Sequence, residues 1–109
     1  MSLEELRRFA ETSTAGGGTL QSFEHEGHKI EVVTRCFTSG VRSSDFGVYA
    51  PAADGRYHRV LYREPIWGAF FHAVQDGDVI NVDLQPQSSG KGKPVFTFTI
   101  SGCYEPQIK

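Results

Sequence analysis

The sequence predicts an α+β domain with a mostly antiparallel sheet, and three observations carry that reading. The first dozen residues are amphipathic at helical spacing behind a capping pattern. The stretch "FEHEGHKIEV" reads as two short strands about a glycine turn. Residues 78–85 and 95–100 alternate apolar and polar side chains, as strands with one buried face do.

Ser2 and Glu5 stand at the spacing of a capping box, in which each side chain satisfies a backbone N–H at a helix start. Leu3, Leu6, Phe9 and Ala10 then recur on one helical face, leaving Glu4, Arg7, Arg8 and Glu11 outside. A helix is therefore expected over Leu3–Thr12. The run "STAGGG" ends it and supplies a glycine-rich joint over residues 13–18.

In the next segment Glu26-Gly27 suits a two-residue turn that pairs His25 with His28, although Glu-Gly is a weaker turn dipeptide than Asn-Gly and a three-residue loop with Gly27 in the left-handed region is the alternative. The following pairs are Glu24 with Lys29, Phe23 with Ile30, Ser22 with Glu31 and Gln21 with Val32. That register sets opposite charges face to face and Phe23 against Ile30. Residues 37–44 read as a loop. Residues 45–50 and 56–63 read as strands about "PAADG", whose Pro51 and Asp54-Gly55 bring turn chemistry.

Residues 64–77 are the ambiguous segment. Trp67, Phe70, Phe71 and Val74 fall at i, i+3, i+4 and i+7, Pro65 suits a first helical position, and Gly77 suits a C-terminal cap. The spacing predicts a second helix, although Gly68 and the aromatic residues are poor helix formers and a strand is the alternative. Ile80, Val82 and Leu84 then share one strand face, and Phe96, Phe98 and Ile100 another. The run "PQSSGKGKP" between them is a loop.

The expected order is α-β-β-β-β-α-β-β, with two helices on the apolar face of one sheet. The rival is a small, partly closed β-barrel with an N-terminal helix, favoured if residues 64–77 form a strand. At 109 residues the chain suits a single domain, 1–109, with its sheet-containing core over residues 19–104. A chain of this size needs no metal or disulfide to fold.

Net charge is −2, so no global basic field draws the chain to nucleic acid. The charges are uneven, however. Lys29, Arg35, Arg42, Arg56, Arg59 and Arg63 outnumber the acids over residues 29–63, and only acids follow over residues 64–83. The N-terminus lacks the continuous apolar stretch of a secretion signal, and no apolar run approaches the roughly 20 residues that span a bilayer. Cys36 and Cys103 stand far apart and are expected as thiols, and the chain as cytoplasmic without membrane attachment.

The motifs exclude more than they select. His25 and His28 share a face of the hairpin, but zinc needs one or two further ligands and Glu24 projects from the other face. They are expected as a hairpin tip, with no metal and no cofactor. Gly16-Gly17-Gly18 precedes a strand rather than a helix, and "SSGKGKP" lacks the earlier glycine and the Ser or Thr of a phosphate loop. No nucleophile elbow or carboxylate pair stands out. The mixed basic and aromatic stretch of residues 56–72 divides its aromatics between two strand faces, so it makes no clean stacking platform.

What remains is an aromatic surplus. Trp67, Phe70 and Phe71, with Arg59, Tyr62 and His72 as polar neighbours, are the candidate ligand- or partner-binding residues. The leading expectation is a binding module without catalysis that engages a small apolar ligand or a protein partner, including a second copy as a homodimer. An enzyme using His72, Tyr62 and Arg59 about the same pocket is the alternative. A single-stranded nucleic-acid binder ranks third, against the charge balance.

Overall fold

The computed structural model describes residues 1–12, 18–37, 43–67, 69–86 and 93–104. The capping box forms as the sequence requires. Ser2 N–H donates to Glu5 Oε1 at 2.9 Å, and Glu5 N–H donates to Ser2 Oγ at 3.1 Å. Helix α1 spans Leu3–Thr12 and buries Leu6 and Ala10 completely, because these two lie one turn apart on its inner face.

Strands β1 (Gly18–His25), β2 (His28–Phe37), β3 (Ser43–Pro51) and β4 (Tyr57–Trp67) form one antiparallel sheet in chain order. Strands β5 (Ala69–Asp76), β6 (Val79–Pro86) and β7 (Lys93–Thr99) form a second, again in chain order. A 3-10 turn over Ser101–Tyr104 follows. The α+β class and antiparallel pairing are as expected, with two sheets in place of one. The sheets are not closed on each other, so the barrel alternative does not form.

The β1–β2 hairpin has the register read from sequence, from His25 opposite His28 to Gln21 opposite Val32. Glu26 and Gly27 both take positive φ, 49° and 82°, the turn whose twist suits a two-residue hairpin. At Gly18 any side chain is excluded. A Cβ there would lie 2.5 Å from the Ala10 carbonyl oxygen and 2.8 Å from that of Thr34, so helix and sheet approach backbone to backbone.

The two sheets pack face to face. Ile30, Val32, Phe46, Val48 and Ala50 on the first meet Phe71, Ala73, Ile80 and Val82 on the second, with Ile100 beside them. The opposite face of the first sheet lies under α1, where Leu6 and Ala10 meet Val33 and Tyr49. Strand β3 is thus covered on both sides, and every residue from Ser43 to Ala50 is buried.

The second helix expected over residues 64–77 is corrected: the segment completes β4 and forms β5. Phe71 and Ala73 point inward while His72 and Val74 are exposed, a period of two. Pro65 stands in β4, an edge strand, where its missing N–H breaks no ladder. The glycine-rich joint up to Gly17, residues 38–42 of the expected 37–44 loop, and residues 87–92 lie outside the described residues. Phe37, Ser43 and Ser44, placed in that loop from sequence, belong to β2 and β3.

Candidate functional site

The candidate residues named from sequence fall in three places. Arg59 and Tyr62 come together on the α1 side of the first sheet, with the guanidinium 4.4 Å from the ring centroid. Tyr62 Oη donates to Asp45 Oδ2 at 2.9 Å, and Arg35 Nε donates to both Asp45 carboxylate oxygens at 3.1 Å. A further bond runs from Arg35 Nη2 to Asp45 Oδ2. Arg35 also lies 4.9 Å from the Phe9 ring centroid and 5.4 Å from that of Phe37.

Bonding to Asp45 raises the Arg35 guanidinium above its ordinary value. Burial, followed by the bond to Asp45, raises the Tyr62 phenol, and burial raises Tyr49. The space among these side chains is about 10 Å³, too small for a guest. The cluster is an anchor between helix and sheet. Its buried carboxylate was invisible in the sequence, where Asp45 opens a strand as an ordinary solvated charge. Nearby, Glu31 is buried as well: Ser22 Oγ donates to its Oε1 at 2.6 Å, while Oε2 has no hydrogen-bond partner among the described residues.

Phe70, Phe71 and His72 line a different cleft. It opens between β5 and the first two strands, holds about 320 Å³, and is completed by Thr19, Gln21, Thr34 and Cys36. Phe71 is mainly a core residue, 5.6 Å from Phe46 between ring centroids. His72 pairs with Asp83 in the β5–β6 register. Trp67 ends β4 opposite Ser43, and its side chain lies outside the described residues. Sequence spacing grouped these aromatics on one helical stripe; in β5, Phe70 and Phe71 instead stand on alternate faces of a strand.

Another opening lies along the facing edges of the two sheets. Strands β4 and β7 are edges of their sheets, and each pairs with a single neighbour. Between them runs a seam with two cavities. The larger, about 440 Å³, is lined by Val60, Leu61, Val79, Thr97, Phe98, Thr99, Gly102 and Cys103. The smaller, about 320 Å³, is lined by Ile66, Phe71, Leu84 and Val95 with Tyr62, Arg63 and Glu64. Arg63 bridges the seam, its guanidinium 4.5 Å from the Phe96 ring centroid. Burial, aided by Asp78, pushes the Cys103 thiol up to about 11, so it stays protonated at neutral pH.

Sequence reasoning reached Tyr62 and Phe71 on this seam and missed Val60, Val79 and Val95. One signal was present: Val60 and Val95 sit in amphipathic strands on the side that should be polar.

His25 and His28 flank the hairpin turn. The His28 ring packs on Tyr104 with centroids 4.5 Å apart, and His25 Nε2 lies 3.9 Å from a Glu26 carboxylate oxygen. No group of three or more His, Cys, Asp or Glu side chains suited to a metal ion occurs among the described residues. No described helix is long and apolar enough to cross a membrane. Compared with known proteins, the chain matches no family model, no curated protein and no solved structure.

Proposed function

We propose that this chain is a binding module that takes a small apolar ligand into the seam between β4 and β7. One observation carries the reading. Of the five large hydrophobic side chains exposed among the described residues, Val60, Ile66, Val79 and Val95 line the two cavities of that seam. Scattered exposed hydrophobics are ordinary, whereas four gathered two by two in neighbouring cavities mark a surface made to be covered. A cavity of 440 Å³ falls in the range of roughly 300–1,000 Å³ that small-molecule sites occupy. The lining offers no activated nucleophile, since the Cys103 thiol is held un-ionised. A cytoplasmic setting belongs to the same proposal, since two cysteines far apart in the sequence, outside any Cys-x-x-Cys pattern, suit thiols.

A neutral, environment-sensitive dye such as Nile red tests it. The parent chain should bind the dye saturably, and octan-1-ol should displace it. Val60→Asp places a charge in the larger cavity at an already exposed position and should abolish binding with the circular dichroism unchanged. Undiminished binding to Val60→Asp would remove the seam as the site.

A second reading rests on the two open edges, which could pair with a second copy of the chain. Sizing of the same two proteins separates them: a concentration-dependent dimer that Val60→Asp converts to monomer favours the homodimer.

A further inference from the structure

The seam has a polarity that its apolar lining does not show. Along β4, Leu61 faces Val48 and Arg63 faces Phe46, so both project from the same face of the sheet. Along β7, Phe98 and Phe96 stand in the same relation. The Arg63–Phe96 bridge therefore lies one two-residue step, about 7 Å, from the Leu61 and Phe98 walls of the larger cavity. At the other end of that cavity Val79 pairs with Thr99, and the neighbouring Asp78 carboxylate accepts from Ser101 N–H at 2.9 Å and from Ser101 Oγ.

One end of the apolar trough is thus cationic and the other anionic. The anionic end is already satisfied. The Asp78 carboxyl is held below its ordinary value by its bonds to Ser101. At the cationic end Arg63 has no carboxylate within ion-pair distance among the described residues, and its one hydrogen bond is a long 3.5 Å contact from Nη1 to the Tyr62 carbonyl. The cation–π contact with Phe96 holds the guanidinium at the seam, where its N–H donors are available to a partner.

We propose that the seam binds a single-chain carboxylate, with its head on Arg63 and its apolar chain along Val60, Leu61, Phe98 and Val79 toward Cys103. The assignment rests on the seam being the binding site. Arg63 matches a carboxylate by its planar pair of donors. Asp78 at the far end disfavours the reversed orientation.

Titration of the full chain with octanoate, octan-1-ol and acetate, followed by backbone amide shifts, separates the two claims. The parent should bind octanoate about tenfold more tightly than octan-1-ol, as hydrogen bonding to a charged group implies, and acetate not measurably. Arg63→Gln should lose that tenfold preference while binding octan-1-ol as before, and Arg63→Lys should keep part of it. Circular dichroism of both variants checks the fold. Equal affinity of the parent for octanoate and octan-1-ol, or octanoate binding unchanged in Arg63→Gln, overturns the head-group assignment and leaves the apolar seam standing. Failure of octanoate and octan-1-ol alike to bind overturns both.

Discussion

The Tyr104 hydroxyl replaces a missing rung of the sheet at Lys29. It accepts from Lys29 N–H at 2.9 Å and donates to the Lys29 carbonyl. The β2–β3 register, which pairs Glu31 with Tyr49, would set Lys29 opposite Pro51. Proline has no N–H to give, so the ladder cannot continue there. A phenol from beyond the last strand, 75 residues away, completes it and ties the 3-10 turn to the first sheet.

Tyr104→Phe keeps the ring contact with His28 and removes both bonds. We expect a loss of about 1–3 kcal/mol, the cost of leaving partly buried backbone groups unpaired. Urea denaturation measures it. A change below about 0.5 kcal/mol would mean that water satisfies Lys29 equally well.

Asp45→Asn addresses the anchor beneath α1. Asp45 is buried, and Arg35 would lose its counter-charge while held between Phe9 and Phe37. Removing one partner of a buried pair costs about 3–5 kcal/mol, and the part of Arg35 that reaches solvent places this case at the low end. Tyr62→Phe removes a single bond and should cost only about 1 kcal/mol. Equal losses in the two variants would show that the ion pair contributes no more than the phenol.

Cys103 yields a pH dependence. With its thiol raised to about 11, alkylation at pH 8 should run about 100-fold slower than for an ordinary cysteine, in proportion to thiolate. The sign for stability follows from the same shift. The contribution is whole below the unfolded thiol value near 9, and it is lost as pH rises toward about 11, because the unfolded chain ionises first. Mass-resolved alkylation between pH 7 and 10 reads the rate. Reaction at the ordinary rate at pH 8 would contradict the burial.

Local chemistry was the legible part of the fold. The capping box of Ser2 and Glu5, the helix over Leu3–Thr12 and the hairpin register each depend on residues within a few positions of one another. The strand alternation at Ile80, Val82, Phe96 and Phe98 was equally plain, because each has a polar neighbour on the solvent side. Residues 64–77 misled because Phe70 and Val74, on the outward face of β5, are as apolar as the inward Phe71 and Ala73. With both faces apolar, a two-residue period and a helical stripe fit the same letters. The division into two sheets and the burial of Glu31 and Asp45 were hidden for another reason: each depends on partners many residues away. The seam was hidden for the same reason, since β4 and β7 meet only in three dimensions.

Because every ladder joins strands adjacent along the chain, the two sheets can zip up separately from local turns. Residues 18–67 hold all pairing of the first sheet and residues 69–99 all pairing of the second, and the strand sequence passes between them once. Pairing only sequence neighbours keeps the contact order below that of a sheet with crossover connections. The late step is the docking of one finished sheet on the other, sealed by Tyr104 on Lys29 and by Gln75 Nε2 donating to the Glu24 carbonyl at 2.7 Å. A nick between Trp67 and Ala69 would sever no rung of either ladder. Two fragments meeting at that point carry complete sheets, joined by the shared core and by the Tyr104 and Gln75 hydrogen bonds, and are therefore equipped to reassemble.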